Sequence, residues 1–353
     1  MVFAGSLFAQ ITFTGSAQVR PRLDTKDWGG YGKTGTKTGL DHQSDMYYMY
    51  RFRINVAAKI GGGWYAKARL AHYGYAEYGF TSGLGMGPKL GGDLDVTAKP
   101  SLAFTQMFLG YKSDKWGFMG GQIPMNGLAN PMLDVHYYPF KMIDIPWTIY
   151  GLGSHFGFAG FVKAGPGKLN ITATKDANNL TKENVDGTKP TDLHDTYSFG
   201  FNYEFKVAGF ALQPALYYAW ADKDIAAPMT YGVNAKTPKF SGFTFGATAA
   251  MTSNSVDHTF KYDGSFFRLK VDGKLGPGAI SAWYDMAKRT DKGVTDVDTD
   301  YSYLWLMYKY KVYSGDHGLV LIAPRWRMIK ESISNVKDYT RNKIECLVIV
   351  KFK

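Results

Sequence analysis

The chain has little cysteine, no long apolar segment and no internal boundary. Cys346 is the only cysteine among 353 residues, which excludes an intramolecular disulfide framework and a multi-cysteine metal site. The longest apolar runs, at residues 319–324 and 346–350, are far shorter than the roughly 20 residues of a membrane-spanning helix, so helical insertion is excluded. No linker, charge block or change in composition divides the chain, which favours one domain.

Sequence motifs of catalysis are also lacking. The seven histidines are scattered and form no HExxH pair, and no G-x-S-x-G elbow occurs. The glycine-rich run at residues 83–87 has no surrounding βαβ pattern, so we interpret it as a loop and not as a phosphate site. We therefore expect a protein that is not an enzyme and that needs no cofactor.

One acidic run resembles the start of a calcium-binding loop. Asp296, Asp298 and Asp300 have the required spacing, but Tyr301 stands where the loop needs glycine and Met307 where it needs a bidentate glutamate. We expect no metal site. Weak binding of divalent cations by these three aspartates stays open as an alternative to a solvated loop.

The chain does contain a repeated alternation of polar and apolar residues. In residues 11–24 the even positions are polar, from Thr12 to Asp24, and the odd positions are mostly apolar, from Ile11 to Leu23. The same period returns at residues 50–60 and 344–353. Each such strand has one wet face and one apolar face. A closed transmembrane barrel, apolar outside and polar inside, is the architecture that requires this pattern on every strand.

Turn residues divide the rest of the chain into strands joined by alternating short and long connections. About sixteen strands result, with eight long loops and seven short turns, at lengths that suit tilted strands of about 9 to 11 residues. The strands are predicted near residues 11–24, 50–60, from 64 through at least 69, 102–112, 116–122, 154–163, 169–176, 197–206, 210–220, 229–236, 242–252, 265–274, 279–288, 303–313, 319–330 and 344–353. The predicted fold is all-β, a transmembrane antiparallel β-barrel.

The first nine residues differ from the strands that follow. Residues 1–9 are apolar with small side chains and stop just before the first strand, which suggests the remnant of a secretory signal peptide. Residues 10–353 then form the single barrel domain.

This organisation resembles the sixteen-stranded outer-membrane porins of Gram-negative bacteria. The resemblance rests on Arg20-Pro21-Arg22 in the first strand, a long third loop after Gly120-Gly121-Gln122, and Phe352 in the last strand. It implies a homotrimer in contact with outer-membrane lipid and lipopolysaccharide. It also implies a third loop, residues 126–147, that folds into the barrel as a constriction, and a second loop, residues 75–100, that latches a neighbouring subunit.

Inward-facing charges are the candidates for an ion filter. The alternation places ten basic residues inside, and closure of the barrel joins most of them into one basic wall, although some are expected to pair with Asp24 or Glu345. The ten are Arg20, Arg22, Arg51, Arg53, Lys67, Arg69, Arg268, Lys270, Arg325 and Arg327. By the resemblance, the constriction loop would add Asp134, His136, Tyr137, Tyr138, Lys141 and Asp144.

A net charge of +11 then favours anions in a narrow aqueous path. The predicted function is a water-filled channel for passive diffusion of small hydrophilic solutes, biased towards anions. Three alternatives stay open: a substrate-specific channel for phosphate, a dicarboxylate or an acidic saccharide; a plugged-barrel adhesin or outer-membrane enzyme; and a soluble all-β binding protein. Nucleic acid is not an expected partner, because the arginines alternate with apolar residues that a soluble protein would expose.

Overall fold

A computed structural model of the chain describes residues 10–27, 42–72, 102–124, 154–178, 195–221, 229–254, 261–293, 295–334 and 338–353. The predicted signal remnant (1–9), latch loop (75–100) and constriction loop (126–147) lie outside these residues. Within the described ranges, no helix is long and apolar enough to cross a membrane.

Sixteen strands form one closed sheet. They are β1 (Gln10–Asp27), β2 (His42–Gly61), β3 (Trp64–His72), β4 (Leu102–Lys112), β5 (Trp116–Pro124), β6 (Ser154–Ala164), β7 (Gly167–Asn178), β8 (Asp195–Val207), β9 (Phe210–Ala221), β10 (Met229–Lys236), β11 (Phe243–Asn254), β12 (Lys261–Leu275), β13 (Gly278–Lys292), β14 (Val297–Gly315), β15 (Gly318–Ile333) and β16 (Tyr339–Phe352). Each strand pairs antiparallel with the next, and β1 pairs with β16 to close the barrel. The predicted fold class and strand number are confirmed.

Side chains alternate between the two faces of the barrel as the sequence pattern predicts. On β12, Phe266 and Arg268 are buried on the inner face, whereas Phe267 and Leu269 between and after them are exposed. Val19, Phe52, Trp326 and Val348, on four other strands, are likewise 49%, 37%, 38% and 38% exposed. Large apolar side chains therefore face outward around the barrel, where they are exposed.

The outward apolar positions form a belt at one end of the barrel. On β13 the outward residues, starting from the short turn, are Ile280, Ala282, Tyr284 and Met286, followed by Lys288, Thr290 and Lys292. Residues 278–286 span roughly 20 Å at about 3.3 Å per residue and a tilt near 40°. An outer-membrane barrel carries an apolar band about 25 Å tall, so this belt matches the hydrocarbon layer.

At the end of the barrel where the long connections lie, several strands extend beyond this belt. β1, β2 and β14 have 18, 20 and 19 residues, more than the 9 to 11 predicted. On β14 the outward residues beyond the belt are polar, Asp298, Asp300 and Ser302, and continue the sheet into water. At the opposite end, tight turns such as Gly62 (φ 58°) and Gly276 (φ 55°) join neighbouring strands directly at the edge of the belt. In outer-membrane barrels the short turns face the periplasm, which orients the molecule.

A close fit of side chains supports the β1–β16 pair near the short-turn end. Gly15 lies opposite Phe352, and a Cβ atom on Gly15 would overlap the Phe352 ring. The same ring stacks on Phe52 of β2 with centroids 6.1 Å apart. The absence of a side chain at Gly15 therefore makes room for the aromatic ring that links β16, β1 and β2.

Candidate pore wall

One carboxylate gathers four arginines on the inner face where the barrel closes. Glu345 of β16 lies between Arg22 of β1 and Arg325 of β15 in the strand register. Arg325 donates from Nε to Glu345 Oε2 over 2.6 Å, and Arg22 and Arg327 both contact Oε1. Arg20 approaches Oε1 at 3.6 Å. The Glu345 side chain is fully buried, and among the described residues its carboxylate is held by guanidinium groups. We call these five residues the Glu345 cluster.

A second ion pair lies next to this cluster, nearer the long-connection end. Arg341 of β16 donates to Asp24 of β1 from Nε over 2.7 Å, and Asp24 is 2% exposed. Lys343 lies between Asp24 and Arg327 in the register and is also buried. The sequence reading named Asp24 but not Arg341 or Lys343. The sequence pattern that could have identified these two residues is their alternation with Glu345, which places all three on the inner face of β16.

A third basic group faces inward on β12. Arg268 donates two hydrogen bonds to Asp285 of β13, from Nε over 2.6 Å and from Nη2 over 2.7 Å, and both side chains are buried. Lys270 lies 3.3 Å from Asp272 on its own strand. Asp285 is the partner that sequence reasoning missed, because only the cross-strand register brings it opposite Arg268.

Two tryptophans connect the basic groups of β12 and β15. Trp283 of β13 and Trp305 of β14 pair directly and stack with centroids 4.4 Å apart and planes at 13°. The Arg268 guanidinium lies 5.0 Å from the Trp283 ring centroid, and that of Arg325 lies 4.4 Å from the Trp305 centroid. The result is a cation–π stack, arginine on indole on indole on arginine, along the inner wall.

The basic wall continues over β1, β2 and β3 with neutral amide partners. Arg51 donates to Gln18 Oε1 over 2.9 Å, and Arg69 donates to Asn55 Oδ1 over 3.0 Å. Two further predicted residues lie on the same inner face. They are Arg53, in register with Ser16, and Lys67, whose Nζ lies 5.4 Å from the Tyr65 ring centroid. The structure thus brings four of the ten predicted residues together at Glu345 and distributes the other six along the neighbouring strands.

The opposite half of the inner wall is neutral midway along its strands. Midway along β7 to β11 the described inward positions are occupied by threonine, asparagine, serine, glutamine, glycine, alanine and tyrosine, and none of these positions carries a charge. Asn170 donates to Asn202 over 2.8 Å, and Thr230 and Thr252 share a hydrogen bond of 2.7 Å. A solute in the lumen would therefore meet fixed charge on one side and hydroxyl and amide groups on the other.

Two aspartates of the acidic run contact neighbouring lysines. Asp298 accepts hydrogen bonds from Thr290 and lies 2.7 Å from Lys288, and Asp296 lies 3.1 Å from Lys292. In the described part of the chain, no group of three His, Cys, Asp or Glu residues could hold a metal ion. The constriction-loop candidates Asp134, His136, Tyr137, Tyr138, Lys141 and Asp144 lie outside the described residues.

Solved structures with the same architecture are outer-membrane proteins. The anion-selective porin from Comamonas acidovorans matches with a TM-score of 0.58 at 10% identity, over 98% of this chain and 100% of that chain. OmpT of Vibrio cholerae in its trimer form matches at 0.55 and 11% identity, over 97% and 99%. Salmonella typhi OmpF matches at 0.55 and 10% identity, over 96% and 98%. The chain has the sixteen-stranded porin fold.

The porin fold agrees with the apolar belt in placing this protein in an outer membrane. At these identities the likeness concerns the fold. No family model matches the sequence, and no curated protein matches it.

Proposed function

We propose that this protein is a porin that forms a water-filled channel for passive diffusion of small hydrophilic solutes, with a preference for anions. The observation that carries the proposal is the one-sided charge of the inner wall. Arginines cover β1, β2, β3, β12, β15 and β16, whereas the inner wall of β7 to β11 is neutral midway along these strands. Low-dielectric walls focus such a field into the aqueous path, so it attracts anions and repels cations.

The direct test is single-channel recording of refolded protein in planar bilayers. A porin gives stepwise conductance that grows with the salt concentration, and no solute is chemically changed. An adhesin or enzyme on a plugged barrel predicts no conductance steps, and a soluble binding protein predicts purification without detergent. Either of those results would reject the proposal.

A substrate-specific anion channel is the second candidate, and the Glu345 cluster favours it. Arg22, Arg325 and Arg327 present planar guanidinium groups within contact of one carboxylate, and such groups bind carboxylate and phosphate in bidentate geometry. A specific channel predicts chloride current that is blocked in a saturable way by phosphate or a dicarboxylate. General diffusion predicts a current that changes only with the bulk conductivity.

We also propose assembly as a homotrimer that contacts lipopolysaccharide. Support comes from the trimer form of V. cholerae OmpT, which shares the fold. The expected result is an oligomer three times the monomer mass in mild detergent, measured by light scattering with the detergent contribution subtracted. A monomer in detergent and in nanodiscs would remove this part of the proposal and leave the channel unaffected.

A further inference from the structure

The short-turn mouth of the barrel carries a regular set of lysines. Every even-numbered strand runs towards this mouth and has at least one lysine on an inward position near it, and one lysine from each strand gives a set of eight. These eight residues, here named the lysine rim, are Lys59, Lys112, Lys163, Lys206, Lys236, Lys274, Lys309 and Lys351. The arginines of the pore wall lie deeper in the barrel and do not belong to this set.

The strand register places these lysines on the inner face at a similar height. Lys274 is opposite Ala279, and Ala279 is opposite Lys309, so these two lysines lie in register on β12 and β14. Lys163 and Lys206 each precede the last residue of their strands, and Lys236 is the last residue of β10. The rim therefore follows the circumference of the mouth.

The eight side chains are exposed and carry uncompensated charge. All eight are exposed to solvent, and none forms an ion pair in the part of the chain that the structure describes. Two inward acidic residues near the mouth form ion pairs with other lysines. Glu204 lies 3.1 Å from Lys168, and Asp272 lies 3.3 Å from Lys270. Inward lysines also cannot reach lipid headgroups on the outside of the wall, so a lipid-anchoring role does not explain the set.

The spacing of the rim makes its charges act together. Lysines on alternate strands are about 10 Å apart, since neighbouring strands are separated by about 4.8 Å. The Debye length is also about 10 Å at 0.1 M salt and about 3 Å at 1 M. At low salt the fields of neighbouring lysines therefore overlap across the mouth. The attraction grows with the charge of the ligand, which favours multivalent over univalent anions.

We propose that the lysine rim is a binding site for small multivalent anions, the polycarboxylate and polyphosphate class, that enter from the periplasmic side. This inference rests on the proposed channel function and adds a second electrostatic site to it, separate from the arginine wall. The channel is then asymmetric: anions concentrate at the short-turn mouth before they reach the Glu345 cluster.

The test is sided block of single channels by tripolyphosphate in 0.1 M potassium chloride. The half-blocking concentration should be about tenfold lower from the short-turn side than from the long-loop side, since charged mouths raise the local counter-ion concentration by 10-fold or more. In 1 M salt the difference should disappear. The short-turn side is identified on the same channel by thiol-reagent access to Ala208→Cys in a Cys346→Ser background.

Matched variants separate the rim from general charge effects. The rim variant combines Lys163→Gln, Lys206→Gln, Lys236→Gln and Lys274→Gln, and the control combines Lys261→Gln, Lys288→Gln, Lys292→Gln and Lys330→Gln on the outer wall. Sided block should be lost in the rim variant and kept in the control. Equal block from both sides of the wild-type channel, or sided block that survives in the rim variant, would overturn the inference. Absence of any conductance in wild-type protein would instead reject the channel itself.

Discussion

Arg22 and Glu345 lie directly opposite each other across the β1–β16 pair, and their side chains form a buried ion pair between residues 323 positions apart in the chain. Arg325 and Arg327 bind the same carboxylate from β15. Glu345 therefore joins the three strands on which barrel closure depends. The same residue also sets the net charge of the pore wall at this point, so stability and ion preference are coupled there.

Replacement of Glu345 by glutamine should destabilise the barrel and increase its preference for anions. Four arginines would lose their shared buried carboxylate, and breaking a buried ion pair costs about 3–5 kcal/mol. The measurement is urea-induced unfolding in detergent, combined with reversal potential. The matched control is Glu204→Gln, whose pair with Lys168 is 34% and 36% exposed and should cost less than about 1 kcal/mol. Equal losses in the two variants would contradict the role of the Glu345 cluster.

Neutralisation of Arg51, Arg53 and Arg69 to glutamine should shift the reversal potential towards cation preference. Arg51 donates to Gln18 and Arg69 donates to Asn55, so at these two contacts the substitutions take away positive charge without freeing an acidic partner. Single-channel recording in a salt gradient provides the measurement. The control replaces Lys288, Lys292 and Lys330 on the outer wall. An unchanged selectivity in the arginine variant would remove these residues from the filter and leave the barrel intact.

Replacement of Trp305 by leucine should remove the aromatic contact that holds the Arg325 side chain and should lower the free energy of unfolding of the barrel. The variant loses the indole stack with Trp283 and the guanidinium contact at 4.4 Å, and truncation of a buried tryptophan to alanine typically costs about 3–5 kcal/mol, so we expect a loss of about 2–4 kcal/mol. The exciton couplet of two stacked indoles should vanish from the circular dichroism spectrum. Trp305→Phe, which keeps an aromatic face, should retain most of the stability. A couplet that persists in Trp305→Leu would show that the stack is not formed.

A side chain at Gly15 should impair closure of the barrel. In Gly15→Ala the new methyl group would overlap the Phe352 ring and approach the backbone oxygen of Arg53, so we expect slower refolding and a loss of about 1–3 kcal/mol from overpacking. The double variant Gly15→Ala/Phe352→Ala should recover part of this loss in a double-mutant cycle. Ala17→Val, on the same outward face, serves as the control. Strictly additive effects of the two changes would contradict direct contact between these positions.

The barrel could be predicted from the sequence because its physical cause is local. The alternation around Val19 and Phe52 indicates which side chains face lipid and which face water. Glycines at the turns indicate where the chain reverses direction. Both signals are contained within short segments, and neither requires knowledge of distant contacts. Strand length was the weaker prediction, since polar outer positions such as Lys288 and Thr290 continue β13 after the apolar signal has ended.

The site was only partly predictable from the sequence, because the partner of each charged residue is set by the cross-strand register. Alternation placed Arg268 and Arg325 on the inner face, but it could not show that Asp285 lies opposite the first or that Trp283 and Trp305 stack between them. The buried indoles of the inner wall were missed, because alternation alone does not show which inward aromatic residues pair across strands. The lysine rim became visible only once the strands were aligned, since its members are far apart in sequence.

The central claim is that the arginine wall faces a water-filled path that favours anions. Its most direct test is the reversal potential of wild-type protein in a tenfold potassium chloride gradient across a planar bilayer. The account predicts stepwise conductance with a reversal potential displaced towards the chloride equilibrium potential. A displacement towards the potassium equilibrium potential, or the absence of conductance from correctly folded protein, would contradict it.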